Sequence, residues 1–174
     1  LEPGSFIQTD VYGVYVLLDA VKRHGLTRMV HVSTDEVYGT IDDGQFTEKS
    51  PIEPNTPYSA AKAGGEMQVR AHVITYGTPA IITRCGNNYG AYQYPEKLIP
   101  FFVTRLLDNK KVPLYGAGNQ VRDWVYVLDH CAGIDKVLHE GTIGEAYNIG
   151  SEGERTNLEI THALLRLLNR PESL

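Results

Sequence analysis

The sequence predicts an α/β fold with a parallel sheet, and three observations carry that reading. Short strand-like runs at 29–33, 80–84, 124–127 and 146–149 alternate with longer amphipathic segments. Those segments carry helix end signals: Gly25 and Gly77 sit just past two of them, and Thr56-Pro57 opens one. A chain of 174 residues, 42% hydrophobic and 21% charged, can bury a real core.

Taken in order, residues 11–23 place Val11, Val14, Tyr15, Leu18 and Val21 at helical period, with Val16 and Leu17 apolar on the other side. A helix apolar nearly all round is expected to be covered, by the core or by a second subunit. A strand follows at 29–33. The polar stretch 42–56, with Gly44, Pro51 and Pro54, reads as a long loop. The next helix spans 57–76, and its Gly64-Gly65 pair, costing ~1 kcal/mol each against Ala, predicts a close helix–helix contact. After the strand at 80–84 come a helix at 95–109, a short strand at 112–115 and a turn at 116–119. The last elements are a strand at 124–127, a helix at 129–139, a strand at 146–149 and a helix at 158–169.

Net charge is −5 and the 16 basic residues are scattered, which excludes the clustered basic face of a nucleic-acid binder. No apolar run has the length of a membrane span, and no signal peptide is visible. Cys85 and Cys131 form no Cys-x-x-Cys pair, so reduced thiols in the cytoplasm are expected. The six histidines show no ligand spacing, so no metal site is expected.

Three polar clusters carry candidate chemistry. Thr34-Asp35-Glu36 follows the first strand, Tyr58 and Lys62 stand four apart on a helix, and Asn87-Asn88 follows the second strand. Ligands of open α/β sheets bind outside the carboxyl ends of the strands, where these clusters fall. A Tyr/Lys pair four apart shares a helix face, and an ammonium near a phenol is expected to lower the phenol's pKa. Alone, that spacing is the ordinary surface pair, and Asp35-Glu36 alone is a solvated turn. Together the clusters suggest a site in which two carboxyls act as acid and base.

The stretches HVSTDEVYG (31–39), PYSAAKAG (57–64), NNYGAYQYPEKLIP (87–100) and QVRDWVYV (120–127) resemble the nucleotide-sugar 4,6-dehydratases of the extended short-chain dehydrogenase/reductase superfamily. The likeness covers essentially the whole chain and implies a partial Rossmann-like, doubly wound parallel sheet. Residues 1–90 would be the second half of an NAD-binding domain. Residues 91–174 would mix substrate-binding segments with the final Rossmann-like elements. The chain starts at Leu1 without Met, and no G-x-x-G-x-x-G follows a strand. It is therefore expected to be a central piece that by itself binds NAD poorly and is inactive.

The resemblance implies NAD-dependent dehydration of dTDP-glucose, with UDP-glucose or a nucleotide-sugar 4-epimerase reaction as the enzymatic alternatives and a truncated dimerisation or binding module as the non-enzymatic one. It implies Thr34, Asp35, Glu36, Tyr58 and Lys62 as catalytic residues. Thr9, Tyr58, Lys62 and Asn88 would meet NAD. Thr34, Asn87, Lys97, Leu98, Pro113, Leu114, Tyr115, Arg122 and Asn157 would meet the nucleotide sugar. A homodimer through helices 11–23 and 57–76 is also implied. Asp10 stands where the family usually has Asn, which puts the support of the catalytic loop in question, and Ala91 replaces a usual Pro.

Overall fold

A computed structural model describes residues 2–41 and 43–173. The chain packs as two units: residues 1–86 with 130–149, and residues 87–129 with 150–174. In the first unit β1 (Met29–Thr34), β2 (Ala80–Cys85) and β5 (Ala146–Ile149) form a parallel sheet with β2 in the centre. Every residue of β2 is buried, as a central strand covered on both faces requires.

Alternation along β2 explains the two covering layers. Ala80 and Ile82 face a core made with Val14 and Leu18 of α2 (Gly13–His24) and Val69 of α3 (Pro57–Tyr76). Ile81 faces the opposite way, towards Gly141 at the end of α5 (Val127–Glu140). A Cβ on Gly133 of α5 would meet Ile149 of β5 at 3.0 Å, so glycine sets how closely that helix lies on the sheet.

The helix at 57–76 has the expected bounds. Thr56 and Ser59 form a reciprocal cap, with Ser59 N–H donating to Thr56 Oγ1 at 3.0 Å, and Gly77 closes the helix at φ 66°. Gly25 closes α2 at φ 60°. The expected helix 11–23 begins differently. The chain is already helical in α1 (Pro3–Phe6), widens into a π-helical turn over Ile7–Tyr12, and becomes regular only at Gly13. The cause lies across the contact: a Cβ on Gly64 would meet Val11 at 2.9 Å, and one on Gly65 would strike the Asp10 carbonyl. The glycine pair admits the widened turn against α3, which makes the expected close helical contact and brings Asp10 to that helix. Asp42, the first residue of the expected loop 42–56, lies outside the described residues; the remainder holds no helix or strand before α3.

In the second unit β3 (Asn87–Tyr89) runs parallel to β4 (Val121–Tyr126), and β4 pairs antiparallel with β6 (Glu154–Thr156). Helices α4 (Leu98–Leu107) and α6 (Asn157–Leu167) share a core of Phe102, Leu106, Leu164 and Leu165. The sequence reading missed β3 and β6, three residues each. It started the 95–109 helix three residues too early. Pro100 lacks an N–H and is tolerated only in a first turn, so the helix starts at Leu98. The expected strand at 112–115 is irregular chain, with Pro113 removing a ladder donor at its centre.

One buried group in β1 sets a pH limit. His31 is 6% exposed, and its Nε2 has no hydrogen-bond partner among the described residues. Burial first, then the Lys62 charge, lowers its pKa to about 4, against an opposing pull from Glu66. Between that value and the ordinary 6.5 the unfolded chain holds a proton that the folded chain refuses. Stability is therefore complete above about pH 6.5 and falls as pH drops towards 4, by a loss of about 3 kcal/mol. Urea unfolding at pH 7 and pH 5 checks this: the midpoint drops at pH 5, and equal midpoints overturn it.

Candidate active site

The first unit gathers the acid pair, the Tyr/Lys pair and Asp10. β1 ends at Thr34 and passes into a one-turn 3-10 helix, Asp35–Tyr38. Thr34 caps that turn: its Oγ1 accepts from Glu36 N–H at 3.3 Å and donates to Asp35 Oδ1 at 3.3 Å. Both bonds are long for a hydroxyl, which leaves room for a substrate oxygen to compete. Asp35 is half-buried, and Glu36 is exposed.

Tyr58 lies in the first turn of α3, its ring edge-on to Phe6 with centroids 5.6 Å apart. Its hydroxyl pKa is raised above the ordinary phenol value, by burial first and then by the negative charges of Glu36, Asp10 and Asp35. This corrects the expectation that Lys62 draws the phenol down. Lys62 Nζ instead donates to the Val32 carbonyl at 2.8 Å and lies 4.0 Å from Asp10 Oδ1. Its charge is committed to β1 and to the widened turn. Thr9 is exposed in that same turn.

A buried polar network backs these groups. Glu66, fully buried on α3, takes Arg84 of β2 through Nε at 3.0 and 3.1 Å and Nη2 at 2.6 Å. Arg84 Nη1 donates to the Tyr38 hydroxyl at 2.7 Å, and that hydroxyl donates to Asn148 Oδ1 of β5 at 2.7 Å. Arg84 also lies over the Tyr38 ring, 4.8 Å from its centroid. Burial opposes the Arg84 charge, but its bonds to Glu66 and Tyr38 outweigh this and raise the pKa. None of these residues was singled out from the sequence. The available signal was an arginine inside an apolar central strand, which burial allows only with a partner.

The remaining expected contacts belong to the second unit. Asn87 and Asn88 lie in β3, opposite Trp124 and Val125. Lys97 is exposed at the start of α4, while Leu98 packs into the α4–α6 core. Pro113 and Tyr115 are exposed in irregular chain, and Leu114 folds against Gly118. Asn157 opens α6, its N–H bonded to the Gln120 carbonyl at 3.1 Å. Arg122 donates to its neighbour's carbonyl, Val121 O, at 2.8 Å. It stands directly opposite Arg155 in the antiparallel register. Like charges so placed repel each other, so the pair suits an anion, and Arg155 could not be found without that register.

A parallel sheet with helices on both faces, an acid pair at a strand's carboxyl end and a Tyr-x-x-x-Lys helix beside it define a Rossmann-like protein of the short-chain dehydrogenase/reductase type. The family model described as GDP-mannose 4,6 dehydratase matches residues 1–170, and the chain belongs to that family. The chain is 51% identical to a dTDP-glucose 4,6-dehydratase of an Actinoplanes species, over 98% of this chain and 53% of the relative. It is 50% identical to one from Mycobacterium tuberculosis, over 97% and 51%. It thus spans about half the length of the curated relatives it matches. The solved dTDP-glucose 4,6-dehydratase of Bacillus anthracis, in complex with NAD, superposes with TM-score 0.95 at 51% identity, covering 99% of this chain and 56% of that one. A UDP-glucose 4-epimerase from Thermotoga maritima superposes with TM-score 0.91 at 27% identity, over 98% and 57%.

Proposed function

We propose that the full-length protein converts dTDP-glucose to dTDP-4-keto-6-deoxyglucose with NAD. The observation that carries this is the Asp35–Glu36 turn beside Tyr58, because elimination of water needs an acid and a base that a 4-epimerase does not. The roughly 50% identity to dTDP-glucose 4,6-dehydratases, against 27% to the epimerase, supports the same choice.

NAD, when bound, supplies the acceptor for hydride leaving C4 and its source for C6. Lys62 suits the ribose end of that cofactor: an ammonium has three donors, and one of them goes to Val32. Thr9 would line the same side, and Asn88 would meet the nicotinamide.

Tyr58 takes the C4 hydroxyl proton. The resulting ketone acidifies C5, and Glu36 removes that proton. Asp35 protonates the C6 hydroxyl, which departs as water and leaves a C5–C6 double bond. Glu36 returns its proton to C5 as hydride reaches C6. Thr34 bonds the sugar, and Asn87 touches the sugar or diphosphate. Lys97 and Arg122 meet the diphosphate, Asn157 adds a contact, and Pro113, Leu114 and Tyr115 line the base pocket. Leu98 packs against the α4–α6 core as well.

The raised Tyr58 pKa has a kinetic consequence. The phenolate is the base, so a raised pKa leaves less of it at neutral pH. Asp10 is one of the charges that raise it. Asp10→Asn is expected to move the acidic limb of the kcat/KM–pH profile, which reports the free enzyme, to lower pH, and an unmoved limb overturns this.

A homodimer through helices 11–23 and 57–76 completes the reading. Tyr12, Val16 and Leu17 on one helix and Met67, Ile74 and Tyr76 on the other are exposed and apolar. Cys85 and Cys131 form no disulfide, which suits the cytoplasm. The test is to incubate the full-length protein with NAD and either dTDP-glucose or UDP-glucose and read product mass. Loss of one water from dTDP-glucose alone supports the proposal; loss from UDP-glucose alone reassigns the nucleotide; loss from neither overturns the dehydratase. Light scattering on the same sample reads the dimer, which a monomer mass excludes, and cell fractionation checks the location.

A further inference from the structure

Tyr58, Lys62 and Glu66 lie at i, i+4 and i+8 of α3, on one helix face. The first two reach the reaction centre, but Glu66 is 0% exposed and turns to Arg84. Arg84 also holds the hydroxyl of Tyr38, the last residue of the turn that begins at Asp35. The Tyr38 ring stacks on Phe46 with centroids 4.9 Å apart and an interplanar angle of 15°, and its hydroxyl is anchored on β5 through Asn148. The turn has four residues and a rise of ~2 Å each, so fixing its last residue fixes Asp35 and Glu36.

A buried ion pair is a poor device for stability alone, because apolar residues of similar volume serve as well. What a planar guanidinium adds is direction: one edge grips Glu66 and the remaining nitrogen is aimed at Tyr38. We infer that Glu66, Arg84 and Tyr38 are positioning residues that hold the Asp35–Glu36 turn in register with the Tyr58–Lys62 helix. This rests on the proposed dehydration and deepens it: the network decides whether oxidation at C4 and elimination across C5–C6 meet on one sugar.

The test is Tyr38→Phe in the full-length protein, which keeps the ring against Phe46 and Arg84 and removes only the hydroxyl. Amide exchange at residues 35–38 is expected to rise about fivefold or more. The kcat for water loss from dTDP-glucose is expected to fall about ten- to a hundredfold, with KM within about twofold. Val21→Ala, a core change in α2, serves as the control for instability: it lowers Tm and leaves kcat unchanged. Unchanged exchange in Tyr38→Phe overturns the inference, as does an equal fall in kcat in the control. If the unmodified protein removes no water from dTDP-glucose, the functional reading fails, and the exchange measurement alone decides the network.

Discussion

Asp35→Asn in the full-length protein is expected to slow water loss from dTDP-glucose by about 10²–10⁴-fold, the usual contribution of a positioned general acid. Earlier steps should survive. Tyr58 and Glu36 remain, so C4 is still oxidised and the C5 proton still leaves; without an acid for the C6 hydroxyl the sugar can only revert. In heavy water, recovered dTDP-glucose should therefore carry deuterium at C5, read by NMR, while almost no dehydrated product forms. Glu36→Gln should block both the exchange and the product. The Asp35→Asn change is close to isosteric, and the new amide keeps an oxygen for the Thr34 hydroxyl that lies 3.3 Å from Asp35 Oδ1, so the turn is retained. Dehydration at the original rate in Asp35→Asn removes Asp35 from the mechanism as the general acid.

Glu66→Ala is expected to lower stability by about 3–5 kcal/mol, because it leaves the Arg84 charge buried with no carboxylate. Arg84 is 6% exposed and Glu66 0%, so water cannot replace the lost partner without opening the core. Against a total of about 5–15 kcal/mol for an ordinary domain, such a loss brings the protein close to unfolding at room temperature. Urea unfolding reads it directly; a change below about 1 kcal/mol, the size of an exposed pair, overturns the assignment of a desolvated ion pair. The double variant Glu66→Met with Arg84→Met should recover much of the stability, since it removes both charges together. Its kcat should stay low, because the Tyr38 hydroxyl then keeps only its bond to Asn148 and loses its tie to α3 through Arg84. Stability and positioning thus separate within one pair of residues.

Much of the fold was legible because its signals are local. Thr56-Pro57 and Gly77 mark both ends of α3 through capping geometry that depends on neighbours three or four residues away. The strand at 146–149 matched in full, and that at 80–84, whose Ile81, Ile82 and Thr83 form a β-branched run, fell one residue short. Short polar pieces did not: β3 and β6, three residues each, exist only because β4 lies between them. The strand expected at 112–115 failed for the opposite reason, an apolar run with a proline at its centre and no partner strand.

The sequence by itself determined the α/β class, the helix that presents Tyr58 and Lys62, and the acid pair after β1. Each is written in a span of a few residues, where period, caps and spacing act. Only the tertiary structure decided how those groups are tuned. Burial and three carboxylates raise Tyr58, while Lys62 turns to Val32 and Asp10. The bonds that join the turn to α3 and β5 span separations of 18, 46 and 110 residues. A charge's partner and its desolvation are properties of what folds against it, and no local pattern encodes them.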